Sequence, residues 1–288
     1  MDTGLELPGF FKDADAASLA AQRTYLALNR TRLWSAVAGA LGGAITWSAA
    51  DLDAGALVAL AGFLVALVAE LVLAYLQPER DWYSGRALAE SMKTMAWCYA
   101  VGGDPFASGI DDAEARRILR QRAELLLQKG GDKISMSTES PLVTAWMTEL
   151  RHSDFETRRA AYLEHRTRDQ RNWYARKARQ DKRKADAWRT ALVAAEIIAV
   201  TASTLRVTKA LEVDLAGILG AAIGAGAAWL ALKQYAQLSA AYSLASRELS
   251  LQEDLLSQVN ESEWAHAVSD AEEAISREHT MWLASRNE

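Results

Sequence analysis

Leu33-Trp34-Ser35-Ala36-Val37-Ala38-Gly39-Ala40-Leu41-Gly42-Gly43-Ala44-Ile45-Thr46-Trp47-Ser48-Ala49-Ala50 runs for 18 residues without a charge, between Arg32 and Asp51. As a helix it would rise ~27 Å, close to the roughly 30 Å hydrocarbon core of a bilayer. The acidic turn Asp51-Leu52-Asp53 leads straight into residues 54–77, whose only charge is Glu70. The pattern then returns. Residues 190–205 are apolar apart from Glu196, a short link covers 206–214, and 215–232 carry no charge. This patterning predicts an all-α membrane protein with two transmembrane helical hairpins, four spans (about 33–50, 54–77, 190–205 and 215–232), and long cytoplasmic helices.

Four buried helices of a soluble bundle are the competing reading, since the segments are rich in Ala, Gly, Ser and Thr. Three features weigh against it. None of the four shows a polar face at the 3.6-residue period of a half-buried helix. Aromatic residues stand near the ends, Trp34 and Trp47, Tyr75, Trp188 and Trp229, as in an interfacial belt. The flanking charge is also lopsided. Arg23, Arg30 and Arg32 precede the first segment, and Arg176, Lys177, Arg179, Lys182, Arg183, Lys184 and Arg189 precede the third. The turns hold Asp51 and Asp53, or Arg206, Lys209, Glu212 and Asp214. Basic residues near span ends favour the cytoplasmic side, so both termini and the middle segment are expected there. No signal peptide is expected, because the first apolar stretch starts late and lacks a small-residue cleavage pattern.

Composition narrows the function classes. The chain has 288 residues, a net charge of −5, 50% hydrophobic and 24% charged residues, so it is not of disordered type. One cysteine, Cys98, excludes an internal disulfide framework and a thiolate metal cluster. His152, His165, His266 and His279 include no pair at zinc-binding helical spacing. There is no phosphate loop, dinucleotide fingerprint or nucleophile elbow. The expectation is a non-enzyme with no catalytic residue, no metal and no cofactor. Acidic balance and the lack of a recognised motif argue against nucleic acid as a partner.

Between the hairpins, 80–99 reads as a helix that continues the second span beyond Pro78 and stops at Gly102-Gly103-Asp104-Pro105. Asp111-Asp112 caps a helix reaching about Lys129. The polar linker 133–140 is the best boundary, giving units 1–140 and 141–288. Pro141 is expected to open a long helix running unbroken into the third span. Its charges from Arg151 to Lys184 read either as a solvated face with i,i+4 pairs or, at Lys182, Arg183 and Lys184, as contact with anionic headgroups. After the fourth span, 233–258 should stay helical. A last helix, 261–285, places Trp264, Val268, Ala271, Ile275 and Trp282 on one stripe that packs on other cytoplasmic helices. A faint echo, Tyr83-Ser84 then Glu90-Ser91 against Tyr242-Ser243 then Glu248-Leu249-Ser250, hints at a repeat.

Within the spans, Gly39 and Gly43, and Gly220 and Gly224, stand at the small-xxx-small spacing that lets helices approach in lipid. An Ala/Gly-rich chain also produces such pairs by chance. Glu70 and Glu196 would both sit roughly 10 Å inside the cytoplasmic boundary. A carboxylate there is costly without water, a partner or a proton. Two readings stay open: a ring of acids at the inner mouth of a cation-permeable pore, or a pair that locks the spans together. Thr46, Ser48, Thr201, Ser203 and Thr204 could line the outer half or bond their own helices.

The stretch Trp82-Tyr83-x-x-Arg86-Ala87-x-Ala89-Glu90-Ser91-x-Lys93, with Trp97-x-Tyr99 and Gly102-Gly103-x-Pro105-Phe106, resembles the SLATT family, the SMODS- and SLOG-associating two-transmembrane effector domains. Ala271-Glu272-Glu273-x-Ile275-Ser276-x-Glu278-His279-x-x-Trp282-Leu283 resembles the tail of that family. So does Tyr162-Leu163 with Arg166, Gln170, Trp173-Tyr174 and Lys177-Ala178. The likeness covers nearly the whole chain as two tandem units. It implies a multi-pass protein of the bacterial inner membrane, an effector of conflict or antiviral defence systems that perforates or depolarises the membrane when a nucleotide-signalling or sensor partner fires. A homo-oligomer in the lipid bilayer would form the pore. The alternative is a membrane-anchored scaffold whose cytoplasmic helices recruit a signalling partner.

Overall fold

The computed structural model describes residues 6–44, 48–49, 52–130, 141–210 and 215–284, and nearly all of that chain is helix. In order these are α1 (Gly9–Ala44), a two-residue antiparallel pairing of β1 (Ser48–Ala49) with β2 (Leu52–Asp53), α2 (Ala54–Leu76), α3 (Pro78–Val101) and α4 (Asp112–Gly130). There follow α5 (Ala145–Arg151), α6 (Phe155–Tyr162), a π-helical turn (Leu163–Arg168), α7 (Asp169–Val207), α8 (Leu215–Lys233), α9 (Tyr235–Gln258) and α10 (Glu261–Ala284).

Local chemistry sets most of these ends. Asp53 caps α2 by accepting from the Ala56 N–H at 3.1 Å. Asp111 accepts from the Ala113 N–H at 3.1 Å where α4 begins. The helix expected to run unbroken from Pro141 does not. Thr144 caps α5 at the Met147 N–H, and Asp154 caps α6 at the Thr157 N–H, 2.9 Å away. These short polar side chains give the backbone a better partner than a continued helix offers, so the chain restarts at 145 and again at 155. From Phe155 the helical path then continues to Val207. The continuous helices expected past the second and fourth spans are likewise broken, each at one residue. Gln77 (φ 46°) and Gln234 (φ 48°) both adopt the left-handed conformation. Each donates its backbone N–H to the leucine carbonyl four residues earlier at 3.0 Å, Leu73 or Leu230. At Gln77 the cause is visible, because Pro78 disfavours the right-handed helical region for the residue before it.

The chain forms two compact units, residues 1–22, 79–176 and 241–288 in one, 23–78 and 177–240 in the other. These cut across the expected division into 1–140 and 141–288. Each unit takes chain from both halves: polar helices share one core, while the apolar segments share the other.

The first unit is built on an aromatic core. Trp97 meets Tyr162, and Tyr162 meets Trp264, both edge-on at 5.8 Å between centroids. Trp264 also donates its indole N–H to the Val101 carbonyl at 2.9 Å, so its one polar atom is satisfied inside the core. The stripe on α10 lies here, with Trp264, Val268, Ala271 and Ile275 buried. The side chain of Trp282 lies outside the described residues. Arg151, buried, closes the loop between α3 and α4 by donating to the carbonyls of Tyr99 (3.2 Å), Phe106 (2.7 Å) and Ile110 (3.1 Å) and to Asp112 (3.1 Å).

Asp112 also lies 2.5 Å from His152 Nε2. Hydrogen bonding from His152, and then from Arg151, holds its carboxyl below the ordinary aspartate value. A carboxyl whose pKa is lower folded than unfolded stabilises the fold above its unfolded value and stops doing so as pH falls through its folded value. The thermal midpoint is therefore expected to decline with acid below about pH 4, and Asp112→Asn to flatten that decline. Thermal unfolding of both proteins across acid pH checks this. The effect is small, because the carboxylate is part-exposed and screened.

In the second unit α1 and α2 touch at glycines. A Cβ on Gly62 would stand 2.7 Å from Gly39 N and Ser35 O, and one on Gly42 would stand 2.6 Å from Ala59 N. Leu192 and Trp188 of α7 pack on Gly226 of α8. Many of the large apolar side chains on the long apolar stretches point outward. Three helical stretches, Ala54–Leu76, Phe155–Val207 and Leu215–Gln258, are long and apolar enough to cross a membrane, and at most 11% of each apolar window is buried. Leu60, Phe63, Leu67 and Leu71 on α2 and Ile197 and Val200 on α7 are all exposed. The expected first span, 33–50, falls partly outside the described residues, with α1 described to Ala44.

Candidate functional site

Glu70 lies six residues before the end of α2, ~9 Å along the helix. Its carboxylate is taken by Arg32 of α1, which donates Nη1–H to Oε2. Arg32 stands one residue before the apolar stretch of α1, so the pair closes the basic end of that hairpin. Glu196 on α7 is exposed and has no ion-pair or hydrogen-bond partner among the described residues. Among the described residues no hydrogen bond or ion pair joins it to Glu70, which pairs with Arg32. Along α7, Arg189, Glu196 and Ser203 recur every seven residues and all three are exposed, so they form one polar line on an otherwise apolar face. The hydroxyls around it bond their own helix. Thr201, Ser203 and Thr204 donate to the carbonyls of Ile197 (2.9 Å), Ala199 (2.8 Å) and Val200 (2.9 Å). Thr46 and the side chain of Ser48 lie outside the described residues.

The small-residue pairs differ in environment. Gly39 lies against Phe63 and Gly62 of α2, whereas Gly43, Gly220 and Gly224 have open space where a Cβ would stand. Gly42 and Gly62, the closest approaches, fall outside the spacing that singled out Gly39 and Gly43. Of the basic trio before the third span, Lys184 pairs with Asp181 at 3.3 Å and stands 5.3 Å from the Tyr235 ring centroid. Lys182 and Arg183 are exposed without an acidic partner among the described residues.

A second cluster escaped the sequence reading. In the unit of polar helices, Arg166 and Glu272 form a two-pronged ion pair, both 1% exposed. Arg166 donates Nε–H to Oε1 at 2.7 Å and Nη2–H to Oε2 at 2.6 Å. The same carboxylate accepts from Tyr162 Oη (2.9 Å) and from Thr94 Oγ1 (2.7 Å). Burial alone would weaken the charged guanidinium, but the adjacent Glu272 carboxylate outweighs that and raises Arg166 above its ordinary value. Burial, and then the Glu272 charge, push the Tyr162 hydroxyl well above its own. The π-helical turn carries Arg166. One wide turn lets the adjacent Arg166 and Thr167 both face inward, which regular helix geometry resists. The signal was present in sequence, since Arg166 and Glu272 both stand in the stretches that carry the family resemblance. Their pairing across 106 residues was not.

Among the described residues no group of three His, Cys, Asp or Glu is placed to hold a metal ion. Cys98 is buried, and burial pushes its thiol far up, away from thiolate chemistry. Outward-facing apolar helices beside a polar-helix unit with an aromatic core define an all-α protein whose long apolar helices could cross a membrane. Comparison with known families is specific. Residues 8–159 match SMODS and SLOG-associating 2TM effector domain 3, and residues 162–282 match SMODS and SLOG-associating 2TM effector domain 1. The chain belongs to the SLATT family and carries two of its two-transmembrane effector domains in tandem. Such domains are associated with conflict systems. No curated protein and no solved structure matches the chain. Thr94 falls in the first match and Tyr162, Arg166 and Glu272 in the second, so one buried carboxylate ties the two domains together.

Proposed function

We propose that the protein is a non-enzymatic effector of a bacterial conflict system, acting on the inner membrane it spans. In this reading four spans cross the bilayer, with both termini cytoplasmic. Copies assemble, and the assembly opens an ion-conducting pore when a nucleotide-signalling or sensor partner fires. The observation that carries the proposal is Glu196, an exposed carboxylate without a partner among the described residues, in line with Arg189 and Ser203 on an apolar helix. In hydrocarbon such a group is stable only facing water or a partner, and a ring of copies provides a water-filled path. Glu70, already neutralised by Arg32, contributes less to that path. The open faces at Gly220 and Gly224 suit close approach between copies.

The test is ion leakage from liposomes holding the full chain at rising protein density. Wild type is expected to leak, Glu196→Gln to lower the leak severalfold at equal insertion, and Glu70→Gln to change it less, because rings of acidic side chains favour cation entry. Equal leakage from all three proteins removes the pore mouth from Glu196. A second reading, a membrane-anchored scaffold, is favoured by Leu244, Leu251 and Leu255, exposed at seven- and four-residue spacing on α9. Wild type that inserts at high density and never leaks supports the scaffold.

A further inference from the structure

Along α7 two columns of side chains run side by side. One holds Lys182, Arg189, Glu196 and Ser203, and the other holds Asp186, Val193, Val200 and Val207. Taken together they alternate steps of four and three residues from 182 to 207, and all of them are exposed. A strict seven-residue repeat keeps one seam of a helix turned toward a parallel neighbour along its whole length. The other sides of α7 differ. Leu192 packs on Gly226 of α8 and Ala202 is buried, so that flank is used inside the chain. Ala194, Ile197, Ile198 and Leu205 are exposed and apolar, a surface that lipid itself covers well.

Lipid does not suit the seam in the same way. Glu196 lies in the apolar part of α7, where a carboxylate calls for water or a partner. Lys182, Asp186 and Arg189 stand nearer the start of the helix, and none of these four charges has an ion-pair partner among the described residues. Asp186 is four residues from Lys182 and three from Arg189, yet no ion pair joins them within the helix. A parallel copy in register changes that. Its Lys182 and Arg189 would lie about 6 Å and about 4.5 Å along the axis from Asp186, an offset that long side chains bridge between neighbouring helices. The same contacts return from the second copy, so the signs along the seam (plus, minus, plus, minus) complement themselves. Arg179 adds one cation three residues earlier on the line, whereas Lys184 is taken by Asp181 and Arg183 lies off the line. The valines suit the contact as well, because each holds one stiff rotamer in a helix and loses little freedom when packed.

We infer that this seam of α7, from Lys182 to Val207, is the surface on which the α7 of a second copy docks, parallel and in register. Copies that cross a membrane in the same sense have only the parallel arrangement open to them. The inference rests on the assembly reading above and names its contact. In register, the Glu196 side chains of neighbouring copies come to one level beside the water path proposed there.

Cross-linking of single cysteines tests the contact. The wild-type chain is its own blank, since its one cysteine, Cys98, is buried. Full-length chains carrying Val193→Cys, Val200→Cys, Ile198→Cys or Leu205→Cys are inserted in liposomes and treated with a short bis-maleimide. Val193→Cys and Val200→Cys are expected to give covalent dimers severalfold more than Ile198→Cys and Leu205→Cys, which are exposed too but lie on the other side of the helix. The charges are tested by mixing. A chain with Asp186→Lys and a chain with Lys182→Glu and Arg189→Glu, each also carrying Val193→Cys, are expected to lose their dimers alone and regain them when inserted together. Recovery on mixing is a result that a folding defect does not give. Equal yields at all four positions, no dimer from any inserted chain, or no recovery on mixing overturns the proposal. Leakage from the same liposomes before cross-linking separates the two readings. A leak without seam dimers overturns this contact and leaves the pore, whereas seam dimers in chains that never leak keep the contact and remove the pore.

Discussion

Glu272→Ala is expected to destabilise the protein by about 3–5 kcal/mol, the usual result of stripping one partner from a buried ion pair. The reason lies in what stays behind. Arg166 is 1% exposed and would keep a full charge in the core with its Nε–H and Nη2–H unanswered. Its Nη1 already has no hydrogen-bond partner among the described residues. Tyr162 and Thr94 would each lose an acceptor as well. Glu272→Gln separates the contributions: an amide oxygen still accepts from Tyr162 or Thr94, but the guanidinium is stranded, so most of the loss should persist. Arg166→Met combined with Glu272→Leu removes both charges with similar volume and should recover most of the stability, because the pair's attraction largely offsets its own desolvation. Thermal unfolding of the full chain in detergent, followed by far-ultraviolet circular dichroism, measures all four proteins. A midpoint drop on the order of 10 °C is expected for Glu272→Ala. An unchanged midpoint would show that the pair is not buried as described.

Gly62→Ala should be as damaging, through backbone. The added Cβ would stand 2.7 Å from both Gly39 N and Ser35 O, and 2.9 Å from Gly39 Cα. No side-chain rotation clears a clash with main chain, so α1 and α2 must part. Overpacking a fitted contact typically costs about 1–3 kcal/mol, and a rigid backbone neighbour places this one at or above the upper end. Gly42→Ala meets Ala59 N and Gly55 O and should behave alike. The comparison is Gly220→Ala, which meets nothing and gains helix propensity, about 1 kcal/mol toward stability in the isolated chain. Thermal unfolding ranks the three. If Gly62→Ala matches Gly220→Ala, the hairpin contact is not made at glycine.

The two results bear on function together. Arg166 sits in the π-helical turn just before α7, and Glu196 lies along the apolar part of α7. The helical path 155–207 is therefore anchored by the buried pair and exposes the polar line.

How far the sequence could be read follows from the range of the forces involved. Lack of charge over 18 residues, a cap such as Asp53 or Asp111, and the stripe Trp264–Val268–Ala271–Ile275 are each decided within a few turns of chain. The helical class and the long apolar segments of α2, α7 and α8 were legible for that reason. The break at Gln77 had Pro78 as its cue, while the matching break at Gln234 had none. Spacing marked Gly39 and Gly43 but passed over Gly42 and Gly62, because close approach depends on the facing helix. Glu272 read as one acid among several on a polar helix, and only the fold put Arg166, Tyr162 and Thr94 around it. The sequence alone determined which segments avoid water and where helices start. Tertiary structure decided which charges are buried, which glycines touch and which halves share a core, since a partner 106 residues away leaves no local periodicity to read.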